Sequence, residues 1–568
     1  MQKIVRRVGT GWVTTLMMGL MTLPAAATTL PATYKFAPNA AVDTLFAKFD
    51  STTSPGCSAA AAKDGKLVYS RGYGMANLDH GVANTPQTPF HVASVSKQFT
   101  AASIVLLAQE GKLSLDDDVR KYLPEVPDLG TTITLRQMIH HTSGLRDQWD
   151  LLEMAGWKYS QDLISDDDVL RLMSKQRKLN FAPNSQYLYS NMGYTLLALV
   201  VKRVSGQSLR EFTTERIFQP LGMSNTHFRD DHAEIVPGFA NGYERAGDSF
   251  RTSVTNFNTT GATSLLATAE DLLRWDENFY TGQVGGKAFT GQMEQRAVLN
   301  DGEQLAYASG IAHETYRGLA AIGHSGSDAG YRAHVLRFPV QHFGVAVVCN
   351  IAEARPADLG KGIADVYLAA ELQPKPAKEA VKSVKVSARS LRDKAGIYLD
   401  RVEGSVLRLE EKDGRLQAVD FYGETRPLIA LAATRFRLEP FDVELEFAGD
   451  TKQSDLVSRP KDGKPKHWSR VPSFEPTAAQ LDEYLGSFAS EELDVRYYMQ
   501  IKDGVLHAAS LRRNPQPMKP ITQDVFTNEQ GMLLFTRDAA GRIDGFALTG
   551  NRARDIRFDK SAEPNPAH

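Results

Sequence analysis

The C-terminal third of the sequence repeats itself, and this repeat constrains the fold more than any other feature. Gly396 and Gly414 stand 18 residues apart, and Gly486 and Gly504 show the same spacing 90 residues later. A fixed offset of this kind indicates two copies of one structural unit. Alternating strands with Asp-Gly turns make each copy all-β, so we predict two units of about 80 to 90 residues. Each should close into a barrel, because closure removes exposed strand edges.

A linker separates this repeat from the rest of the chain. The segment QPKPAKEAVKSVKVSA has two prolines, four lysines and no apolar periodicity, a composition typical of linkers. We therefore place the linker at residues 373–389 and the two β units at 390–470 and 477–560. A larger domain is expected over residues 34–372.

The N-terminus has the pattern of a secretory signal peptide. Three basic residues among the first seven precede an apolar run over residues 8–23, and three alanines follow at 25–27. Glycines and threonines interrupt the run, which is shorter than the roughly 20 residues of a membrane-spanning helix. We predict that residues 1–27 are cleaved and that the protein is periplasmic or secreted. An uncleaved anchor is the alternative.

Charge and cysteine content exclude several classes of function. The 65 basic residues nearly balance the 67 acidic ones, so no net charge attracts nucleic acid. Only Cys57 and Cys349 are present, without Cys-x-x-Cys or His-Glu-x-x-His, which excludes a thiolate zinc site and a dense disulfide framework. We expect no metal, no cofactor, no nucleic-acid partner and no stable membrane anchor, while the oligomeric state stays open.

The larger domain reads as two strands, a helical insertion and a strand meander. Apolar runs around Asp64-Gly65 predict a hairpin. An apolar helix is predicted from Val95 to Glu110, ending at Gly111, and its uniform hydrophobicity indicates deep burial. Three further strands are predicted in GLAAIGHSG, YRAHVLRF and HFGVAVVCN.

Ser94 and Lys97 form a Ser-x-x-Lys motif at the start of the apolar helix. Three residues apart on a helix, they lie on one face within reach of each other. A lysine flanked by buried surface favours its neutral form and can accept the serine proton. The alternative is an N-cap serine followed by a lysine that extends to solvent. A second match, Ser458 to Lys461, shows that the pattern alone is weak.

Tyr189-Ser190-Asn191 is a second candidate element, about a hundred residues after Ser94. The phenol of Tyr189 could relay a proton between the serine and a leaving group. The amide of Asn191 could exchange hydrogen bonds with a substrate amide. In isolation the same residues would describe a loop with a packed aromatic side chain.

His324-Ser325-Gly326 is the third element, at the end of a predicted strand. The strand edge could pair with an extended substrate, and Gly326 would let the substrate approach the backbone closely. The N–H of Ser327 could join the N–H of Ser94 as an oxyanion hole. His324 would polarise the pocket or hydrogen-bond to the substrate, the alternative being a histidine on a half-exposed strand.

With these three motifs in order, the chain resembles the serine β-lactamase and penicillin-binding-protein superfamily. The blocks ITLRQMIHHTSGL, YSNMGYTLLALVVKRVSGQSL and GHSGSDAGYRAHVLRF extend the resemblance to the branch of class C β-lactamases, D,D-carboxypeptidases, D-aminopeptidases and related esterases. It implies that Ser94 is the acylated nucleophile, that Lys97 and Tyr189 share acid and base work, and that Asn191 binds the substrate amide.

The resemblance also implies a fold. We expect an α+β domain with an antiparallel sheet flanked by helices and a helical subdomain, followed by two barrel-like (lipocalin-like) domains as in D-aminopeptidases. In the family's sheet the first and last strands are antiparallel neighbours, which places Cys57 beside Cys349. A disulfide between them is our hypothesis, and two buried free thiols are the alternative.

The expected function is that of an exported serine hydrolase acting on D-amino-acid amides, peptides or esters. Histidine replaces the lysine usual in the third motif of β-lactamases, as in D-aminopeptidases, which argues against efficient β-lactam hydrolysis. The alternatives are a β-lactamase and a catalytically idle penicillin-binding or peptidoglycan-binding protein. An α/β-hydrolase is excluded, because no Gly-x-Ser-x-Gly motif is found. The substrate would be a small peptide, amide, ester or β-lactam.

Overall fold

A computed structural model describes residues 39–375, 382–439, 441–449, 454–461 and 463–562. These residues form an α+β domain followed by two all-β domains, as predicted. The predicted signal peptide lies outside the described residues, as do residues 376–381 of the predicted linker.

The first domain has fifteen strands among its described residues, and six of them form a large antiparallel sheet. Its strands are β1 (Cys57–Lys63), β2 (Lys66–Tyr73), β3 (Met75–Asn77), β4 (Val82–Ala83), β5 (Phe90–His91), β6 (Ile164–Ser165), β7 (His227–Phe228), β8 (Tyr243–Ala246), β9 (Ser249–Thr252), β10 (Phe257–Asn258), β11 (Leu265–Ala267), β12 (Ala312–Tyr316), β13 (Leu319–Asp328), β14 (Tyr331–Phe338) and β15 (Phe343–Cys349). The large sheet has the order β12-β13-β14-β15-β1-β2. The predicted hairpin and the three-strand meander are therefore confirmed, and β12 is an additional edge strand that the sequence analysis missed.

Helices cover both faces of this sheet. They are α1 (Ala40–Phe46), α2 (Lys97–Gln109), α3 (Leu135–Ile139), α4 (Gln148–Met154), α5 (Asp166–Ser174), α6 (Asn191–Ser205), α7 (Leu209–Thr213), α8 (Gln219–Leu221), α9 (Ala269–Thr281), α10 (Gly286–Glu294) and α11 (Pro356–Tyr367). Along β1 the side chains alternate, so that Ala59 and Ala61 pack in the core with α1 and α11. Ala60 faces the opposite core, which contains α2, α6 and α9.

Helix α2 is the buried helix expected from the apolar sequence. Nearly all of its residues are buried, and it packs against α6. A short 3₁₀ turn, Ala93–Ser96, precedes it. The structure therefore places Ser94 in this turn and Lys97 at the first position of the helix, where a side chain has little contact with water.

Strands β1 and β15 pair antiparallel, with Cys57 opposite Cys349. Their sulfur atoms form a disulfide with an S–S distance of 2.11 Å. The bond joins residues 292 positions apart in the sequence and lies where the resemblance to the family's sheet placed it.

The first all-β domain is a closed barrel. After α12 (Ala388–Lys394), its strands are β16 (Gly396–Asp400), β17 (Ser405–Lys412), β18 (Arg415–Val419), β19 (Thr425–Ala430), β20 (Arg435–Leu438), β21 (Val443–Phe447), β22 (Leu456–Pro460) and β23 (Lys466–Val471). Large apolar side chains, among them Tyr398, Phe436 and Phe447, fill its interior.

The second all-β domain is a nine-stranded sheet. It follows α13 (Ala478–Asp482) and contains β24 (Gly486–Ser490), β25 (Val495–Lys502), β26 (Val505–Ser510), β27 (Arg513–Pro517), β28 (Lys519–Thr522), β29 (Val525–Asn528), β30 (Gly531–Arg537), β31 (Ile543–Thr549) and β32 (Ile556–Ser561). Strands β27 and β28 form the two edges. The domain is therefore barrel-like but is not closed by hydrogen bonds between these strands.

The glycines of the sequence repeat occupy equivalent places in the two barrels. Gly396 and Gly486 begin the first strand of each domain, and Gly414 and Gly504 lie in the turn after the second strand. In that turn their φ angles are 72° and 76°, a conformation that glycine adopts without steric cost. No helix among the described residues is long and apolar enough to cross a bilayer.

Candidate active site

The predicted site residues converge on one cavity of about 690 Å³ in the first domain. Six of them line it, namely Ser94, Tyr189, Asn191, His324, Gly326 and Ser327. Lys97 lies directly behind Ser94 and is completely buried. Residues from three distant parts of the sequence are thus brought together around the start of α2 and the end of β13.

Lys97 is bound by three oxygen atoms. Its Nζ lies 3.2 Å from Oγ of Ser94, 2.8 Å from Oδ1 of Asn191 and 2.7 Å from the carbonyl oxygen of Ala262. Burial lowers the pKa of Lys97 to about 7, because the charged form loses its hydration. At neutral pH a large fraction of the lysine is therefore uncharged and can accept the proton of Ser94.

Tyr189 stands on the other side of Ser94. Its hydroxyl is buried next to the serine but makes no hydrogen bond of good geometry. Its ring centroid lies 4.8 Å from Nζ of Lys97. Burial raises the pKa of Tyr189, so the phenol keeps its proton and can donate it.

The backbone around the nucleophile is strained and tightly packed. Ala93, immediately before Ser94, has a φ of 50°, which is costly for a residue with a Cβ and is typical of functional sites. On the facing strand, a Cβ at Gly326 would stand 2.1 Å from the carbonyl oxygen of Val92. We expected Gly326 to let a substrate approach. In the structure it lets the turn that carries Ser94 approach strand β13.

Strand β13 offers a free edge beside the nucleophile. Its neighbour β12 pairs with it only as far as Gly323, whereas β14 pairs with it through Asp328. Among the described residues, the segment from His324 to Ser327 is therefore paired on one side only. An extended substrate could add to this edge as a further strand.

Asn191 is held in place by Asp147, a residue that the sequence analysis did not single out. Oδ2 of Asp147 accepts hydrogen bonds from the backbone N–H and the Nδ2 of Asn191, at 2.7 and 2.8 Å. The Asn191 amide must then present its oxygen to Lys97, as observed. The completely buried Asp147 therefore fixes the orientation of the side chain that was predicted to bind the substrate amide.

His324 belongs to a directed chain of hydrogen bonds. The Ser190 N–H donates to Nδ1 of His141, so Nε2 of His141 carries the proton and donates to the Tyr307 hydroxyl at 3.2 Å. Tyr307 can then donate to Nε2 of His324 at 3.0 Å, and Nδ1 of His324 to the carbonyl of Ser325 at 2.6 Å. These tautomers are inferred from the hydrogen-bond partners.

This arrangement differs from the role expected for His324. Both ring nitrogens are engaged within the protein, and burial together with the charge of Lys97 lowers its pKa to about 4. His324 is therefore neutral and has no nitrogen to offer a substrate in this state. It orders the tyrosine-rich wall of the cavity instead. His141 lies in the block ITLRQMIHHTSGL that carried part of the family resemblance, but neither it nor Tyr307 belongs to the three motifs from which site residues were predicted.

The second barrel contributes a cation to the same cavity. Arg552, in the turn between β31 and β32, lines the cavity together with Ser94 and Tyr189. Its Nη2 lies 3.3 Å from Oδ1 of Asp147. A series of contacts therefore runs from the barrel through Asp147 and Asn191 to the reacting amine. No sequence signal marks Arg552, because it lies more than 450 residues from Ser94.

A buried ion pair fastens the second barrel beside the cavity. Arg146 and Glu492 are 1% and 6% exposed, with their charged atoms 2.5 Å apart. Nearby, Tyr497 donates a hydrogen bond to the carbonyl of Met154. In the part of the chain that the structure describes, no three His, Cys, Asp or Glu side chains are grouped to hold a metal ion.

Comparison with known proteins agrees with this architecture. The family model described as Beta-lactamase matches residues 42–368. A D-aminopeptidase of Brucella anthropi is 28% identical over 540 residues, covering 90% of this chain and 96% of its own. A D-aminopeptidase of Gluconobacter oxydans is 24% identical over 470 residues, covering 82% of this chain and 85% of its own.

Among solved structures, the octameric penicillin-binding protein homologue from Pyrococcus abyssi superposes with a TM-score of 0.52 at 24% identity. The match covers 73% of this chain and 96% of that protein. Identity at this level establishes a common fold and leaves the chemistry to be argued from the site.

Proposed function

This chain belongs to the beta-lactamase family of serine hydrolases, and on this premise we propose that it hydrolyses amides or short peptides of D-amino acids through an ester formed on Ser94. The observation that carries the proposal is the contact between a buried lysine of lowered pKa and the Ser94 hydroxyl, 3.2 Å away. It supplies a general base where a serine nucleophile needs one.

Acylation would begin with neutral Lys97 taking the Ser94 proton as Oγ attacks the substrate carbonyl. The N–H groups of Ser94 and Ser327 are proposed to bind the oxyanion that forms. The leaving nitrogen takes a proton from the Tyr189 phenol, and Lys97 returns its proton to Tyr189. The C–N bond breaks, the Ser94 ester forms, and no net proton is consumed.

Deacylation would reverse these roles. Water takes the place of the departed amine, and Lys97 and Tyr189 together remove a proton from the water as it attacks the ester. The alcohol of Ser94 is then regenerated with a proton from the same pair. Since both half-reactions use the same groups, one protonation state of Lys97 governs both.

The preference for D-amino acids is supported by the relatives. Two D-aminopeptidases align over 82% and 90% of this chain, which is more than the first domain alone occupies. In the cavity, Oδ1 of buried Asp328 has no hydrogen-bond partner among the described residues, while Oδ2 accepts from Thr263 at 2.8 Å. Burial raises the pKa of Asp328 to about 7, and an ammonium group bound beside it would stabilise the charged carboxylate, so this acceptor suits the free ammonium group of an aminopeptidase substrate.

Export is part of the same proposal. The first 27 residues have the pattern of a signal peptide, and the disulfide between Cys57 and Cys349 suits an oxidising compartment. N-terminal sequencing of the protein purified from a periplasmic extract tests this. A mature chain beginning near Thr28 is expected, and a full-length chain in the cytosol would contradict it.

The central experiment compares D- and L-alanine 4-nitroanilide with the wild type and Ser94→Ala. We expect at least ~100-fold higher kcat/KM for the D-isomer and a loss of at least ~10⁴-fold in Ser94→Ala. The matched control is Ser458→Ala, which removes the serine of the second Ser-x-x-Lys match, in the first barrel, and should leave activity intact. Covalent labelling by an acylating probe that persists in Ser94→Ala would refute the assignment.

A further inference from the structure

The turn that connects the last two strands of the second barrel enters the cavity of Ser94. Its backbone is anchored to the first domain at Arg552, whose N–H donates to Asp150 at 2.5 Å. The carbonyl of Arg552 accepts from the N–H of Asp147 at 3.0 Å and from Nδ2 of Asn180 at 2.9 Å. Three hydrogen bonds at one residue fix where its side chain begins.

The guanidinium group that this turn delivers lacks hydrogen bonds. It forms ion pairs in which Nη2 lies 3.3 Å from Oδ1 of Asp147 and Nε 3.9 Å from Oδ1 of Asp150, but neither contact has hydrogen-bond geometry, and Nε is buried without a hydrogen-bond partner. Among the described residues, no acceptor is hydrogen-bonded by any of its five N–H groups. The side chain is 26% exposed and faces the cavity.

The surroundings of this guanidinium explain why it needs an outside partner. One oxygen of Asp147 accepts two hydrogen bonds from Asn191, and Asp150 accepts a hydrogen bond from the backbone N–H of Arg552. Trp149 and Tyr159, whose rings lie 5.4 Å apart, line the same cavity, and the guanidinium carbon lies 5.9 Å from the centroid of the Tyr189 ring. A guanidinium group whose N–H groups lack acceptors, next to aromatic rings, is suited to bind a planar anion.

We propose that Arg552 is a specificity-determining residue that binds a carboxylate of the substrate in the cavity of Ser94. A carboxylate accepts two parallel N–H bonds from a guanidinium, which a neutral amide cannot do. The proposal rests on the proposed hydrolysis of D-amino-acid amides or peptides. Within that class, Arg552 favours substrates that carry a carboxylate, so the second barrel contributes directly to substrate specificity.

The carboxylate could come from either side of the scissile bond. On the acyl side it would be the side chain of D-aspartate or D-glutamate. On the leaving side it would be the C-terminus of a released amino acid. The chemistry recognised by Arg552 is the same in both cases, so the experiment needs one pair of substrates for each source.

The test measures kcat/KM for matched acidic and neutral substrates at about pH 8, where most of Lys97 is neutral and an α-amino group is still partly protonated. The acyl-side pair is the 4-nitroanilide of D-aspartate and that of D-asparagine. The leaving-side pair is D-alanylglycine and D-alanylglycinamide. A third pair, mono-4-nitrophenyl adipate and 4-nitrophenyl hexanoate, needs only Ser94 chemistry and reports on Arg552 even if D-amides are not substrates.

The wild type should prefer the acid in at least one pair by about 10- to 100-fold. Arg552→Gln should bring that ratio close to one. Arg552→Lys should retain part of the preference for the acid, because lysine keeps the positive charge but cannot donate two parallel N–H bonds. The control is Arg554→Gln, two residues away, which removes a cation that faces Glu403 of the first barrel and should leave the ratio unchanged.

Two results would overturn the proposal. One is a wild-type ratio near one in all three pairs. The other is a preference for the acid that survives Arg552→Gln. The substitution would then lower kcat/KM equally for both members of a pair, which would assign Arg552 to positioning alone. If neither amide pair is hydrolysed while the esters are, the proposed D-amino-acid substrate is refuted. The carboxylate site is then judged from the ratio of kcat/KM between the acidic and the neutral ester.

Discussion

The two barrels contact the first domain through equivalent turns, but the two contacts differ in burial and in what they place there. In each barrel this turn joins the last two strands, β22 to β23 in the first and β31 to β32 in the second. The first barrel uses it to place Lys464 against Asp301 and Glu303, all at least 43% exposed. The second uses it to place Arg552 in the cavity of Ser94.

The difference shows how two similar units of one chain can take separate roles. Surface ion pairs like those of Lys464 contribute little, because water and salt screen them. The second barrel also makes exposed ion pairs, but it adds a desolvated one, with Arg146 and Glu492 buried between the domains. We infer that the first barrel is a peripheral module and that the second is an integral part of the hydrolase.

The largest expected effect comes from breaking the buried pair. Glu492→Gln leaves the buried guanidinium of Arg146 without its countercharge, at a cost of ~3 to 5 kcal/mol in the free energy of unfolding. Urea denaturation measures it. Glu491→Gln is the matched control, since Glu491 is 79% exposed and pairs with Arg177 at the surface. A cost below ~1 kcal/mol for Glu492→Gln would show that docking does not depend on this pair.

A smaller effect is expected on the pH dependence of kcat/KM. Catalysis requires neutral Lys97, so activity should fall as the pH drops through about 7, the lowered pKa of this lysine. Arg552 opposes protonation of Lys97, whereas Asp147 and Asp328 favour it. Removing the arginine cation in Arg552→Gln should therefore move the acid limb to higher pH by roughly 0.5 to 1.

The neighbouring histidines do not alter the direction of this shift. Burial and the charge of Lys97 lower the pKa of His141 and His324, so both stay neutral across the limb. The Arg554→Gln control should keep the wild-type profile. An acid limb in Arg552→Gln that is unmoved, or that moves to lower pH, would show that the barrel does not tune the lysine.

The smallest effect is expected at the first barrel. Lys464→Ala should change the free energy of unfolding by ~1 kcal/mol or less, and the difference should disappear in about 1 M salt, where exposed charges are screened. Activity on a D-alanine anilide should equal that of the wild type. A loss of activity comparable to that of Arg552→Gln would break the contrast between the barrels.

Much of the fold was predictable because local patterns encode it. The Asp-Gly turns, the hydrophobic strands and the uniformly apolar α2 each follow from a few neighbouring residues. The edge strand β12 was missed, since its sequence AHETY is short and half polar. The sequence repeat implied two similar barrels, but the nine strands and unpaired edges of the second depend on packing that the repeat does not record.

The site was predictable where its residues fall into short motifs. Ser94, Lys97, Tyr189 and Asn191 do so, and the structure brings them together. The exact partners of His324 were not predictable, because a histidine's role depends on which nitrogen its neighbours occupy. Tyr307 and Asp147 gave no signal of their own, and His141 lay in a block of the family resemblance without a role assigned to it.

The sequence by itself determined the candidate nucleophile, the amine beside it, the order of domains and the internal repeat, since each depends on residues close together in the chain. Only the tertiary structure decided how neutral that amine is, which way Asn191 points and which barrel supplies Arg552. Burial and electrostatic fields depend on distances in space, and those distances join residues hundreds of positions apart.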